Sequence, residues 1–520
     1  MNATAAAVRD NPAGNVELGP LPDAPHSATL QADAVVVGSG AGGAVVAATL
    51  AEAGWDVLVL EEGPMVRTDD IRRWSMAERL VRLYRDSGLS AAAGVPPVAL
   101  PMGRCVGGTT TVNSGTCFPT PGAVLDAWAR SGLHALSPPA FTPLLREVEE
   151  VIGVRQIGRD IMGGNARMAE AGARNAGLHG ALLHRNERGC IGSGQCPMGC
   201  PQGAKQDMRM TYLPRAAQAG ARILAGVRVR SLDHDGGTMR GVTAERVDVS
   251  GATLRGSRIT VRAPVVVLSA GAVYTPVLLL RAGLGGAHVG RHLAVHPTTE
   301  AAGFVAERVE GWRGVQQSYG IHPEPGVTIE ATFPPGGTAL RYLPLSGPAL
   351  KELMARWAHA VLLGVMVVDG GNGRVRLAPG GTPLVTYRLG DAEAGRLVRG
   401  LAHTARVLRA AGAREVYTPL RGLPVLAAGD DPSVIECARG RDLALAAFHP
   451  LGTARMAARE ADGPVDPQGR VRGARGLLVA DASLLPGAPG VNPQVTIMAL
   501  ALHVARELVQ AGAPARRRLS

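Results

Sequence analysis

The chain has 520 residues, 46% apolar content and 69 glycines, which suits a large globular α/β protein and excludes a disordered chain or a collagen-like repeat. Its formal charge of +11 does not point to nucleic acid: of 54 basic residues only Lys205 and Lys351 are lysine, and aromatics make up 3%. The only compact basic run, Arg516 to Arg518, closes a tail at 513–520 with no aromatic between the charges.

Residues 1–30 read as an N-terminal extension. Asp10, Glu17 and Asp23 interrupt it and it holds no long apolar segment, so it does not resemble a signal peptide, and a cytoplasmic protein is expected. The longest apolar stretch, Ala263 to Leu280, is broken by Ser269, Gly271 and Pro276; it reads as a strand entering a helix and predicts no stable membrane insertion.

Residues 33–63, "DAVVVGSGAGGAVVAATLAEAGWDVLVLEEG", carry the first motif. The run Ala34 to Val37 predicts a buried parallel strand, and Gly38, Gly40 and Gly43 follow in the spacing G-x-G-x-x-G before a helix over Ala44 to Ala53. Such glycines allow a sharp turn, a close approach of backbone to pyrophosphate, and tight helix–strand packing. A second strand over Val57 to Leu60 ends at Glu61, 18 residues past Gly43, where a carboxylate would accept from ribose hydroxyls and disfavour a 2′-phosphate. These residues predict a dinucleotide without separating NAD from FAD.

Residues 101–121, "PMGRCVGGTTTVNSGTCFPTP", add a second glycine pair, Gly107 and Gly108, followed by Thr109 and, four residues on, Asn113. Amides and hydroxyls in such a loop can run along a flat polar ligand. From Gly103 to Asn113 the chain resembles the glucose–methanol–choline (GMC) oxidoreductases, FAD enzymes that oxidise alcohols. Three later stretches resemble the same family: "PVVVLSAGAVYTPVLLLRAGL" at 264–284, "FHPLGTARM" at 448–456, and "VADASLLPGAPGVNPQVTIMALA" at 479–501.

The resemblance implies FAD, hydride transfer to flavin N5, His449 as the base that takes the hydroxyl proton, and Asn492 as its hydrogen-bonding partner. A neutral imidazole is well poised for that task at neutral pH. Asp481, Pro493 and Val229 are assigned to the cofactor together with Gly38, Gly40, Gly43, Glu61, Gly107, Gly108, Thr109 and Asn113. A helix over Val495 to Val504 would aim its positive end at the flavin edge where negative charge gathers on reduction. Val112 stands where some relatives carry the histidine that bonds covalently to FAD, so a non-covalent cofactor is expected. His296 is expected to be a structural histidine at a turn.

The stretch "GCIGSGQCPMGCPQGAKQ" at 189–206 holds Cys190, Cys196 and Cys200. Three thiolates fall short of the four that structural zinc and common clusters take. Gly189, Gly192, Gly194 and Gly199 with Pro197 and Pro201 form turns. Free buried thiols are expected and no metal is assigned, with a disulfide, a three-iron cluster and zinc as the alternatives.

The fold class expected is α/β: a discontinuous Rossmann-like FAD-binding domain at 31–130, 185–300 and 437–512, and a substrate domain of antiparallel sheet backed by helices at 131–184 and 301–436. Strands are expected within Ala301 to Ser346 and helices over Ala349 to Val361 and Ala392 to Ala410. The cysteine stretch and His296-Pro297 look most like the long-chain alcohol and sterol oxidase-like branch, which implies a lipophilic or bulky alcohol and oxygen or another electron acceptor. Two alternatives are a flavo-iron-sulfur dehydrogenase with an electron-transfer partner and a non-redox, hydroxynitrile-lyase-like enzyme. The sequence carries no signal of oligomeric state.

Overall fold

The computed structural model describes residues 8–335 and 342–513; the Arg516 to Arg518 run and residues 1–7 of the extension lie outside them. Five parallel strands form the floor of the molecule in the order Arg222–Ala225, Val57–Glu61, Ala34–Val37, Val265–Leu268 and Leu477–Val479. Ala34–Val37, Val57–Glu61 and Val265–Leu268 are buried at every residue, as parallel strands covered on both faces should be. The helices Ala41–Glu52 and Gln494–Gln510 bury their apolar sides in the same core.

A four-stranded sheet flanks the floor, with Val227–Asp235, Thr238–Arg246 and Arg258–Arg262 antiparallel and Ser27–Gln31 added in parallel. The N-terminal extension is docked: Val8–Asp10 pairs with Val16–Leu18, and the fully buried Glu17 accepts from the Thr68 amide at 2.7 Å.

Opposite the floor lies a mixed roof sheet whose central order is Tyr319–Glu324, Val327–Ala331, Ala360–Val367 and Thr298–Phe304, all antiparallel. It has its own core, filled from behind by the helices Gly164–Asn175 and Asp391–Ala410. Segment 131–184 serves both layers, because Pro138–Val151 sends Phe141, Leu145 and Val148 into the core of the floor.

The helix expected over Ala349 to Val361 is shorter. It spans Gly347–Ala355, and the chain then enters the strand Ala360–Val367. That strand, AVLLGVMV, is buried at all 8 residues, and its central place in the roof overrides local helix propensity. The last helix runs beyond its expected end, over Gln494–Gln510. Among the described residues no helix is long and apolar enough to cross a membrane.

Candidate active site

A cavity of about 790 Å³ opens between floor and roof. Its floor is made by two glycine turns packed against each other. Gly38 has φ +103 and a Cβ there would lie 2.3 Å from Ser269 O; Gly108 has φ +55 and its Cβ would lie 2.9 Å from Gly40 Cα. Only glycine meets both demands. Gly43 stands behind the cavity wall, where a Cβ would lie 2.0 Å from Gly38 O, and Gly107, with φ +87, donates its amide to Ser39 Oγ at 3.0 Å. These two glycines shape the turns from outside. The helix Ala41–Glu52 starts at the cavity with no acidic residue in its first turn, which leaves its amides and positive dipole end suited to phosphate.

Glu61 lines this end of the cavity, with its carboxylate held by Ser39 Oγ at 2.6 Å, Ser39 N at 3.0 Å and Gly63 N at 2.7 Å. Burial raises its pKa against those bonds. Beside it, burial works against ionisation of Glu62, but Arg85 and Arg228 hold it down to about 2.

The second glycine loop is fastened from two sides. Asn113 donates to Gln494 Oε1 at 2.8 Å, tying the loop to the start of the last helix, and accepts from the Gly115 amide at 3.0 Å. Lys205, only 2% exposed, donates to the carbonyls of Thr111 at 2.8 Å, Asn113 at 2.7 Å and Cys196 at 3.0 Å. Thr109, Val112 and Val229 line the cavity. Asp481 and Pro493 also line it, but both Asp481 oxygens are bonded to protein, to Gly271 N and Thr275 on one side and to Ser483 on the other. The carboxylate therefore shapes the closing turn.

All six cysteines are unpaired. Among the described residues no three His, Cys, Asp or Glu side chains gather as metal ligands would. Burial pushes the Cys190 and Cys200 thiols up, away from the thiolate form that binds metal.

His449 and Asn492 line the same cavity where floor meets roof. Burial lowers His449 to about 4, so its ring is neutral at neutral pH. Its Nδ1 lies 3.3 Å from Nδ1 of His296, a residue 153 positions away, and the rings meet edge-on at 5.3 Å. Asn492 lies against Glu330, which comes down from the roof strand Val327–Ala331. Glu330 accepts from Gln317 at 2.5 Å and burial raises it to about 7. Asn492 Oδ1 is buried in the cavity wall with no other hydrogen-bonding partner, a polar atom open to a ligand.

Glu330, Lys205 and the active partnership of His296 escaped sequence reading. Glu330 sits in an alternating strand where a polar residue ordinarily faces water, and Lys205 drew no notice beyond being one of two lysines.

The floor suits a dinucleotide: two glycine turns that any Cβ would fill, a free helix N-terminus and a carboxylate at the strand end. A GMC oxidoreductase N-terminal profile matches residues 80–298, a C-terminal one matches 370–501, and an NAD(P)-binding Rossmann-like profile matches 36–77. An uncharacterized GMC-type oxidoreductase of Mycobacterium tuberculosis is 44% identical over 506 residues, covering 95% of this chain and 78% of that one. A long-chain-alcohol oxidase of Arabidopsis thaliana, FAO3, is 28% identical, covering 94% of this chain and 69% of its own. Pyridoxine 4-oxidase from Mesorbium loti shares the fold, with a TM-score of 0.69 at 20% identity, over 92% of this chain and 99% of that one.

Proposed function

The chain belongs to the GMC oxidoreductase family, and from that premise we propose that it oxidises a lipophilic or bulky alcohol to its carbonyl compound, with His449 as base and Asn492 as the partner that holds the oxygen. It is an FAD-dependent oxidoreductase acting on CH–OH groups. The observation that carries the finer reading is that His449 and the orphaned Oδ1 of Asn492 both line the cavity that the glycine turns floor.

FAD, when bound, supplies the hydride acceptor at N5. The residues that would hold it are the turns at Gly38–Gly40 and Gly107–Gly108, with Glu61 toward the ribose and Thr109, Asn113, Val229 and Pro493 along its length. Val112 carries no nucleophilic atom, which supports a non-covalent cofactor. His449 takes the hydroxyl proton: burial disfavours its charged form, so at neutral pH the ring is neutral and can accept a proton at its free nitrogen. The start of the helix Gln494–Gln510 faces the cavity and favours negative charge there.

Apolar walls support the substrate class. Phe333 and Met366 face the cavity from the roof, and at its edge Phe448 is 41% and Leu89 83% exposed. The long-chain-alcohol oxidase relatives point the same way. We assign 31–130, 185–300 and 437–512 to FAD binding and 131–184 and 301–436 to the substrate side, with Pro138–Val151 as the part of the latter that packs on the floor.

The test is anaerobic mixing of the purified flavoprotein with a panel of alcohols, followed by air or by a dye acceptor. Bleaching by long-chain or bulky alcohols and not by short or sugar alcohols is expected. No bleaching by any alcohol, with cleavage of a cyanohydrin, would reject the oxidative reading.

A further inference from the structure

The roof strand Ala360–Val367 alternates its faces. Val361, Leu363, Val365 and Val367 enter the core behind the roof, while Gly364 and Met366 line the cavity. Gly364 is flanked on both sides, paired with Glu330 of one neighbouring strand and with Glu300 of the other. Bare backbone therefore stands in the middle of the cavity's ceiling. Neither conformation nor packing asks for glycine there. Gly38 and Gly108 of the floor sit at positive φ with backbone in the way of a Cβ, but Gly364 lies in a regular strand. A Cβ on it would meet Thr332 Cγ2 and Oγ1 at 3.4 Å and Glu330 O at 3.9 Å, all ordinary contacts. Glycine inside a strand weakens it, and one that the fold does not require marks a close approach by a ligand.

The walls of this gap give its character. Met366 borders it along the strand and Thr332 across it; the Thr332 hydroxyl is turned away to donate to Glu300. Phe333 lines the cavity next to Thr332. Paired residues on neighbouring strands stand about 4.5 to 5.5 Å apart at Cα, so the gap is one strand from Glu330, which lies against Asn492. A group filling the gap meets largely apolar walls and lies close to the oxygen that Asn492 would hold.

We propose that Gly364 is a specificity-determining residue: the space left by its missing side chain receives a ring or branch of the substrate beside the carbon that bears the hydroxyl. This rests on the proposed alcohol oxidation and narrows its substrate class. A straight alkyl chain passes beneath the gap and leaves it empty, whereas a ring-bearing or branched alcohol fills it and gains by burying apolar surface. A side chain at position 364 would take the same space. Valine suits a strand, and its three carbons would close the gap without disturbing the ladder.

The test compares cyclohexylmethanol with n-heptanol, alcohols of equal carbon number, on holoenzyme of wild type, Gly364→Ala and Gly364→Val. Anaerobic flavin reduction gives the rate per unit concentration for each. Wild type should favour cyclohexylmethanol; the ratio should fall slightly in Gly364→Ala and by about 10- to 200-fold in Gly364→Val, the usual worth of a methylene in an apolar pocket or more. Gly364→Ala should keep FAD and unfold at the same or a higher urea concentration, since alanine fits the strand. An unchanged ratio in Gly364→Val, a wild-type preference for n-heptanol, or loss of FAD or stability in Gly364→Ala overturns the proposal and leaves the alcohol oxidation standing. Where neither alcohol reduces the wild-type flavin, binding is read from the shift in flavin absorbance. Tighter binding of cyclohexylmethanol that Gly364→Val abolishes then upholds the gap and overturns the oxidation; no such preference overturns both.

Discussion

The floor of the cavity draws Gly38, Gly40 and Glu61 from one strand, turn, helix and strand in unbroken sequence, whereas the wall facing it joins His449 to His296, 153 residues away, and sets Glu330 of the roof against Asn492. The floor binds through backbone, with amides and glycine geometry, and its spacing is therefore written in a short motif. The wall works through side chains that only the packing of two sheets brings together. Variants of the floor should cost the enzyme its cofactor and leave any retained flavin reducible; variants of the wall should keep the cofactor and change its reduction.

The largest break in that contrast is expected at His449. His449→Ala should retain FAD by absorbance after desalting, yet reduce it about 100- to 10,000-fold more slowly with a good alcohol substrate, the usual reach of a positioned base. Loss of FAD together with activity would show that the wall also holds the cofactor and that the division fails.

Glu330 sharpens the contrast through pH. Its carboxyl is raised by burial to about 7 from an ordinary 4.5, so between those values the native protein keeps a proton that the unfolded chain has shed. The native state then binds more protons, and stability must fall as pH rises through this window and level off above it. The shift corresponds to about 3 kcal/mol. Urea unfolding at pH 5 and pH 8 should show wild type losing that much more stability than Glu330→Gln over the same interval. Equal losses would mean that Glu330 ionises normally and that its free oxygen is solvated.

On the floor, Gly108→Ala asks for φ +55 of a residue with a β-carbon placed 2.9 Å from Gly40 Cα. A strain of about 1 to 3 kcal/mol should weaken FAD binding by about 5- to 150-fold. Titration of apoprotein with FAD measures it directly, and whatever FAD remains should bleach at the native rate. A native dissociation constant would show that the two turns part easily.

The difference between floor and wall is also a difference in what could be read before the structure. Three of the five parallel strands announced themselves through β-branched runs bounded by glycine, and His449 and Asn492 stood inside recognisable motifs. His296 looked like a residue at a turn because nothing near it in sequence needs a histidine; its partners, His449 and Gly490, arrive from the far end of the chain. Glu330 was hidden for a related reason. Alternation in its strand marks two faces, but only the floor beneath decides that its face is a cavity and not solvent. The short helix Gly347–Ala355 fails differently, since periodicity alone cannot tell a buried strand from a buried helix in a continuous apolar run.

The smallest effect is expected in the cysteine-bearing stretch, although it looked the most unusual in sequence. Its hold on the site runs through Lys205, which clasps three carbonyls, two of them from the second glycine loop. The thiols contribute less. Cys196 accepts from Arg185 at 3.2 Å, while Cys190 is only partly buried and burial keeps it protonated. Cys190→Ala loses only the thiol's weak bonds to Glu187 and the Gly192 backbone, so it should shift stability by under about 1 kcal/mol and should leave FAD content and flavin reduction as they were. Iron and acid-labile sulfide, assayed on anaerobically purified wild type and variant, should be substoichiometric in both. Stoichiometric iron in wild type that disappears in Cys190→Ala would give the stretch an electron-transfer role and make the floor of the cavity the start of a path out of it.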